Sequence, residues 1–239
     1  MRHACGFCDG VGKNSLQSIS QNISTLRARI AAAERKAGRN PGTVQVIGVS
    51  KRKPSSDIKA AYAAGLTNFG ENYLQEALPK IAELADLPIT WHFIGAIQSN
   101  KTRAIAENFH WVHTIDRVKV ARRLADQCPP GKVLQACIQV NIDADPAKAG
   151  AAPKAVGNLL AELGALTNLR LRGLMAILDL NSDPLQSYRR VQELFVAVGR
   201  EQGSHWDTLS MGMSRDFEAA IEAGATFVRV GTEIFGARQ

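Results

Sequence analysis

The segment TVQVIGVSKRKPSSDIKAAYAAG, residues 43–65, contains one complete structural unit. Its first part, TVQVIGVS, is a short apolar run rich in valine and isoleucine, which is typical of a buried strand. Its second part, PSSDIKAAYAAG, begins with proline and continues as a helix-like segment. The segment therefore predicts a strand that is followed directly by a helix.

Similar units fill the rest of the chain. Seven further apolar runs alternate with helix-like segments: TNFG, ITWHFIGA, HWVHTI, VLQACIQVN, LRLRGLMAI, DTLSM and TFVRV. Strict alternation of short strands and helices indicates parallel pairing with right-handed crossovers. Eight such units in about 200 residues fit a (β/α)₈ barrel, whereas an open doubly wound sheet usually has fewer strands and a GxGxxG motif, which this chain lacks. We therefore predict an α/β fold with a single TIM-type barrel.

The N-terminal part predicts two further features. SLQSISQNISTLRARIAAAERKAG, residues 15–38, spaces its apolar residues by three and four positions, which predicts an extra amphipathic helix before the barrel. Residues 1–14 show no such pattern. We expect a disordered extension at 1–14 and one domain at 15–239.

The composition is ordinary for a globular protein, with 45% hydrophobic and 21% charged residues. No apolar run approaches the roughly 20 residues that span a bilayer, and the N-terminus lacks the apolar section of a secretory signal. We therefore expect a cytoplasmic protein without a membrane partner. The formal charge of +7 is spread along the chain among acidic residues, which argues against a nucleic-acid partner and suits a small anionic ligand.

The four cysteines are too few and too scattered for a disulfide framework, which agrees with a reducing compartment. Cys5 and Cys8 form a CxxC pair near His3. A structural zinc site needs a second pair of ligands, and Cys128 and Cys137 do not form another CxxC. We therefore expect no metal site.

The first predicted strand ends in the cluster SKRKP, which contains Lys51. Two-residue alternation puts Ile47, Val49 and Lys51 on one side of the strand. If this side faces the barrel axis, the Lys51 amine lies at the barrel mouth, where desolvation disfavours its charged form and prepares it to attack a carbonyl group. The alternative is a solvated lysine in a turn, which is what we expect for Lys53.

Two loops rich in glycine and serine follow the seventh and eighth predicted strands. TFVRVGTEIFGARQ places Gly231 and Thr232 directly after a strand. LSMGMSRDFEAAIEAG clusters Ser210, Gly212 and Ser214 before a helix, which Ser214 could cap. Glycine lets the backbone approach a ligand, and free amide groups at a helix start attract anions. Loops at these two places in a TIM-type barrel frequently hold a phosphate.

A Schiff-base lysine after the first strand and a phosphate site after the last two together describe a pyridoxal phosphate site. The chain resembles the pyridoxal phosphate homeostasis protein family, called YggS in bacteria and PROSC in animals, in the motifs VSKRKP, FGENYLQE, WHFIGAIQSNK, RGLMAI, SMGMSRDFEAAIEAGATFVRVGT and IFGAR. The resemblance extends from about Leu16 to the end of the chain. It implies a barrel similar to the N-terminal domain of alanine racemase, with pyridoxal 5'-phosphate as the cofactor.

The resemblance also implies roles for individual residues. Lys51 would form the Schiff base, and Asn72 would line the pocket near the ring. Arg229 would lie near the pyridine nitrogen, where a cation opposes protonation of that nitrogen and weakens the ring as an electron sink. The residues expected to hold the phosphate are Ser214, Gly231 and Thr232, with Ser210 and Met213 alongside.

Three other polar residues could take part in chemistry. His92 lies within a predicted strand, and we expect it to be a hydrogen-bonded structural residue. Asn100 and Lys101 follow a strand end, where they either contact the ligand or cap the next helix.

Two functions remain open, a carrier or buffer of pyridoxal phosphate and an amino-acid racemase or other small enzyme that uses this cofactor. Racemisation needs a proton acceptor on each face of the substrate, and Lys51 serves only one. In alanine racemase the other is a tyrosine from an additional domain, which we do not expect here because the chain ends at Gln239. Tyr62, Tyr73 and Tyr188 are the remaining candidates. We therefore predict a monomeric binding protein that is not an enzyme, with apoenzymes as acceptors of the cofactor.

Overall fold

The computed structural model forms a closed barrel of parallel strands; it describes residues 10–200 and 202–236, with side chains from residue 18 onward. The strands follow one another around the barrel in chain order: β1 (Gln45–Val49), β2 (Asn68–Glu71), β3 (Thr90–Phe93), β4 (Trp111–Ile115), β5 (Leu134–Val140), β6 (Leu169–Ala176), β7 (Thr208–Ser210) and β8 (Phe227–Val230). β8 pairs with β1 and closes the barrel. The predicted (β/α)₈ architecture is confirmed, with all eight strands.

Each strand is followed by a helix. These helices are α2 (Ser55–Ala63), α3 (Leu74–Glu83), α4 (Thr102–Asn108), α5 (Val118–Asp126), α6 (Val156–Leu163), α7 (Pro184–Gly199), α8 (Phe217–Glu222) and α9 (Thr232–Phe235). Within the described ranges, no helix combines the length and the apolar character needed to cross a membrane.

The extra helix α1 (Gly10–Lys36) precedes the barrel, as the apolar spacing predicts. It begins five residues before position 15, where that spacing becomes recognisable. The predicted disordered extension at 1–14 falls largely on residues 1–9, which lie outside the described residues, and it stays a prediction.

Side chains from alternating strand positions fill the barrel interior. Ile47 packs there with Trp111, Cys137, Met175 and Phe227, and none of the five is more than 8% exposed. Ile47 therefore faces the barrel axis, which is the orientation of β1 that the lysine argument requires. A larger apolar core lies between the strands and the surrounding helices.

Closure of the barrel brings residues from its two sequence ends together. Gly48 is opposite Val230 in the β1–β8 ladder, so the segments that follow these two strands leave the barrel side by side. α1 supports this region from outside, where Asn22 Nδ2 donates to Ile234 O at 3.0 Å. The SKRKP cluster after β1 and the Gly231–Thr232 pair after β8 therefore lie at the same end of the barrel.

Candidate functional site

A pocket of about 230 Å³ opens at the C-terminal end of the barrel, where the loops after the strands meet. Seven of the residues singled out by sequence line it: Lys51, Asn72, Met213, Ser214, Arg229, Gly231 and Thr232. Among the described residues, its wall contains three cations and no acid. A wall of this charge favours an anionic ligand.

The turn after β1 brings Lys51 to this pocket. Ser50 N donates to Gly70 O at 3.0 Å, which continues the β1–β2 ladder for one more residue. The chain then reverses, with Lys53 N donating to Ser50 O at 3.0 Å and Arg52 at a φ of 60°. Lys51 lies half-buried in this turn and lines the pocket, as two-residue alternation predicts.

Lys53 also lines the pocket, so the expectation that it lies in solvent is wrong. Its Nζ donates to Phe235 O at 2.8 Å, at the end of α9. The bond ties the turn after β1 to the last helix and adds a second lysine to the pocket. No local pattern predicts this contact, because the two residues are 182 positions apart.

Asn72 follows β2 and lines the pocket opposite a required glycine. A Cβ at Gly95 would lie only 2.0 Å from Asn72 O, so this close approach is possible only because Gly95 has no side chain. Asn72 Oδ1 is buried and has no hydrogen-bond partner among the described residues. A buried amide oxygen without a donor is costly, and this atom is therefore suited to accept a hydrogen bond from a ligand.

Arg229 supplies a buried positive charge, since only 4% of its surface is exposed. Its guanidinium donates to Ser210 O at 2.6 Å, to Ser210 Oγ at 3.0 Å and to Ala176 O at 2.8 Å. None of these acceptors is charged. Burial lowers the pKa of Arg229 from its ordinary value, but a guanidinium remains protonated in proteins. Arg229 therefore keeps its charge in the pocket wall.

A hydrogen-bonded chain continues from Arg229 through the barrel interior. Ser210 Oγ lies 2.8 Å from His113 Nδ1, and His113 Nε2 lies 2.9 Å from His92 Nδ1. His92 Nε2 lies 3.0 Å from Asn68 Oδ1. Burial lowers the pKa of both histidines, to about 3 for His113, so both are neutral at pH 7. The prediction that His92 is a hydrogen-bonded structural residue is confirmed.

Ser210 is the predicted site residue that does not line the pocket. It is fully buried at the end of β7, where Arg229 and His113 bind its hydroxyl. Ser210 therefore reaches the pocket through Arg229, and its predicted direct role toward a cofactor stays a prediction.

The loop after β8 provides donors for an anion. Gly231 stands at the N-cap of α9, where a Cβ would lie 3.1 Å from Val49 O. The first amide groups of a helix have no acceptor within it, and the Thr232 hydroxyl adds a further donor. Gly231 and Thr232 both line the pocket, so these donors belong to its wall.

The loop after β7 differs from the sequence-based expectation. Asp216, not Ser214, stands at the N-cap of α8, and its carboxylate accepts from Met213 N at 2.6 Å. The proposal that Ser214 caps this helix is therefore wrong. Ser214 lies at the pocket wall instead.

The three candidate tyrosines do not line the pocket. Tyr73 is 47% exposed, and Tyr62 packs at the edge of the outer core. Tyr188 is fully buried; its hydroxyl donates to Asp216 Oδ2 and accepts from Gly212 N, both at 3.1 Å. None of the three therefore shares the pocket wall with Lys51.

Other candidates lie elsewhere. Asn100 is exposed, and Lys101 stands at the N-cap of α4 without a capping bond from its side chain. Cys128 and Cys137 are buried and unpaired, whereas Cys5 and Cys8 lie outside the described residues. Over the described ranges, no cluster of histidine, cysteine or acidic residues is arranged to hold a metal ion.

Sequence reasoning missed most of the apolar part of the wall. Val49, which alternation puts on the same side of β1 as Lys51, lines the pocket together with Ile94 and Ile177, and each stands at or directly after the C-terminal end of a strand. This shared position is the signal that could have identified them, because strand ends form the active face of such barrels. Gly236, the C-cap of α9 with a φ of 77°, was also missed.

Sequence comparisons agree with this geometry. Residues 15–239 match the family model described as alanine racemase, N-terminal domain. The chain is 52% identical over 227 residues to the pyridoxal phosphate homeostasis protein of Pseudomonas aeruginosa, a match that covers 93% of this chain and 97% of that protein. The chain belongs to the pyridoxal phosphate homeostasis protein family. Its member from Escherichia coli is 45% identical over 232 residues, covering 93% of this chain and 98% of that protein.

Solved structures place the fold in the same family. PipY of Synechococcus elongatus without pyridoxal phosphate has a TM-score of 0.83 and 38% identity, covering 91% of this chain and all of PipY. PipY with pyridoxal phosphate bound has a TM-score of 0.79 and 36% identity, with the same coverage. Alanine racemase from Corynebacterium glutamicum shares the fold alone, at a TM-score of 0.66 and 16% identity over 62% of its length. The predicted fold and family are confirmed.

The pocket residues fit the cofactor that this family is named for. Lys51 offers an amine for an aldehyde, and the cations offer charge for a phosphate. Asn72 Oδ1 is a buried acceptor that lacks a donor among the described residues, and Gly231 at the N-cap of α9 lines the pocket.

Proposed function

We propose that this protein binds pyridoxal 5'-phosphate covalently through Lys51, and that it carries or buffers the cofactor without robust catalysis. The observation that carries the proposal is the position of Lys51 in a pocket with two further cations and, among the described residues, no acid. Family membership supports it, because relatives at 52% and 45% identity are named for pyridoxal phosphate homeostasis and PipY has been solved with the cofactor.

The pocket residues divide the binding between them. Pyridoxal phosphate supplies an aldehyde, which a neutral lysine amine can bond, and a phosphate anion. Lys51 provides the amine. Ser214, Gly231 and Thr232 provide hydroxyl and backbone donors for the anion, with Met213 alongside.

Arg229 makes the pocket a poor place for carbanion chemistry. A permanent cation beside a pyridine nitrogen disfavours protonation of that nitrogen and weakens the ring as an electron sink. The uncharged acceptors Ser210 and Ala176 hold the guanidinium in place without neutralising it. We propose that Arg229 lies toward the ring nitrogen, with Asn72 at the side of the ring.

The tyrosine positions favour binding over racemisation. Lys51 serves one face of a substrate, and Tyr62, Tyr73 and Tyr188 are all absent from the described pocket wall. A covalently held cofactor that does not enter catalysis is available for release. We propose that apoenzymes dependent on pyridoxal phosphate accept it.

Borohydride trapping tests the attachment. The protein is incubated with pyridoxal phosphate, reduced, digested and mapped by mass spectrometry, with Lys51→Ala as the control. We expect the reduced adduct on Lys51 and its loss in the variant. An adduct on Lys53 or Lys101, or no adduct, would refute the assignment.

A further inference from the structure

The turn that carries Lys51 is strained at the next residue. Arg52 has a φ of 60°, in the left-handed region. This conformation is disfavoured for residues other than glycine by a factor of about 5 to 30. Strain of this kind persists only where the surrounding structure imposes it, and it concentrates at functional sites.

Helix α3 supplies two of the bonds that impose this turn. Glu76 Oε2 accepts from Arg52 N at 3.1 Å, at the strained residue itself. Lys80 Nζ donates to Ser50 O at 2.9 Å, on the other side of Lys51. The two residues that flank Lys51 are therefore both held by side chains of one helix.

Glu71, the last residue of β2, contacts both the turn and α3. Its carboxylate is fully buried, and Oε1 accepts from Ser50 Oγ at 2.7 Å and from Lys80 Nζ at 2.9 Å. Burial raises the pKa of Glu71, while Ser50 and Lys80 oppose this shift. A buried carboxylate bonded to both Ser50 and Lys80 joins strand, turn and helix at one point.

We propose that Glu71, Glu76 and Lys80 are positioning residues for Lys51: they hold the strained turn in the conformation that directs the Lys51 amine into the pocket. The inference rests on the proposed attachment of pyridoxal phosphate to Lys51. None of the three residues lines the pocket, so they act through the turn and not through the cofactor.

Two glutamates on α3 allow a matched test. Glu76 contacts the turn, whereas Glu83 at the end of the same helix binds Ser55 and Lys59 of α2 at the surface. We expect Glu76→Ala to slow formation of the Lys51 adduct with added pyridoxal phosphate by about tenfold, because the turn then samples other conformations. Glu83→Ala should react at the wild-type rate, and Glu76→Gln, which keeps an acceptor, should recover most of the loss.

Adding Arg52→Gly to Glu76→Ala tests whether Glu76 acts through the conformation of the turn. Glycine adopts a positive φ without strain. We therefore expect Arg52→Gly to restore part of the rate lost in Glu76→Ala. If Glu76 contributed only to folding, the folded Glu76→Ala protein would form the adduct at the wild-type rate.

Lys80, which contacts the turn, and Lys59, which pairs with Glu83 at the surface, give an independent comparison. Lys80→Met should slow the Lys51 adduct and raise the share of reduced adduct found on Lys53, while Lys59→Met should change neither. Circular dichroism verifies that each variant is folded, and Glu76→Ala remains the informative variant if Lys80→Met does not fold.

The outcomes separate the two proposals. Absence of a Lys51 adduct in the wild-type protein refutes the proposed function itself. If the wild-type protein forms the Lys51 adduct, and Glu76→Ala forms it as fast as Glu83→Ala does, the positioning role is overturned. It is also overturned if Glu76→Ala forms the adduct slowly and adding Arg52→Gly does not raise the rate. Slowing by Glu76→Ala together with recovery in the double variant supports it.

Discussion

Arg229 and the histidines of the barrel interior belong to one hydrogen-bonded chain but differ in charge. A guanidinium can only donate, so Ser210 Oγ accepts from Arg229 and its own proton is directed to His113 Nδ1. His113 then donates through Nε2 to His92, which in turn donates to Asn68 Oδ1. Neutral histidines complete this chain, and their neutrality leaves Arg229 as its single charge.

This arrangement predicts a loss of stability in acid. In the unfolded chain His92 and His113 bind protons below an ordinary pKa of about 6.5. Burial keeps both neutral when folded, with the pKa of His113 lowered to about 3. The unfolded state therefore binds more protons between these values, and the free energy of unfolding should fall by about 1.4 kcal/mol per pH unit for each histidine as pH decreases. Urea titrations between about pH 7 and 5 measure the slope.

A single variant assigns this slope to the barrel interior. We expect His113→Gln to have a shallower dependence of unfolding free energy on pH than the wild type, because one of the histidines whose pKa is lowered by burial is removed. Equal slopes in the two proteins would contradict a neutral, buried His113.

At the level of elements, the pocket depends on how closely the loops after β2 and β3 approach each other. Asn72 O and the position of a Gly95 Cβ are only 2.0 Å apart, and the atom in conflict belongs to the backbone. We expect Gly95→Ala to displace the Asn72 segment, lower the free energy of unfolding by about 1 to 3 kcal/mol and weaken binding of pyridoxal phosphate. Urea unfolding and a binding titration measure the two effects.

Gly157 provides the matched control. It lies exposed in α6, and a Cβ there would meet no atom within 4 Å. Alanine is a better helix former than glycine, so Gly157→Ala should raise the free energy of unfolding by about 0.5 to 1 kcal/mol and leave binding unchanged. If Gly95→Ala and Gly157→Ala had the same free energy of unfolding and the same binding of pyridoxal phosphate, the close approach at Gly95 would not be required for either.

At the level of the whole molecule, barrel closure decides which groups can act on a bound ligand. The closed ladder puts the turn after β1 beside the segment after β8, which unites Lys51 with Gly231 and Thr232. The same packing buries Tyr188 against Asp216 and leaves Tyr73 at the surface. The protein therefore brings two lysines, Lys51 and Lys53, and no candidate tyrosine to the described pocket wall.

We therefore expect binding of pyridoxal phosphate without racemisation. Incubation with L- and D-alanine, and with a panel of other amino acids, should give no inversion and no α-proton exchange into deuterated water above a Lys51→Ala control. Exchange without inversion would indicate that Lys51 acts as a base on one face. Inversion at roughly 1 to 1,000 per second would instead establish a racemase and a second base.

The sequence by itself determined the barrel and most of the site. Strand and helix periodicity are local properties, so all eight units were recognisable without a structure. Alternation along β1 placed Lys51 correctly because it depends only on the direction of successive side chains. The positions of Ser214, Gly231 and Thr232 followed from the loops after the last two strands, which a closed barrel brings to one face, whereas that of Asn72 came from the family resemblance.

Only the tertiary structure decided the contacts that hold the site together. Lys53 contacts Phe235 across 182 positions and thereby lies in the pocket wall. Ser210 contacts His113 across 97 positions and lies outside that wall. The strained turn at Arg52 likewise depends on α3, since nothing within SKRKP favours a positive φ. Such contacts arise from barrel closure and from the packing of helices on strands, and local residue patterns do not specify either at the precision of a hydrogen bond.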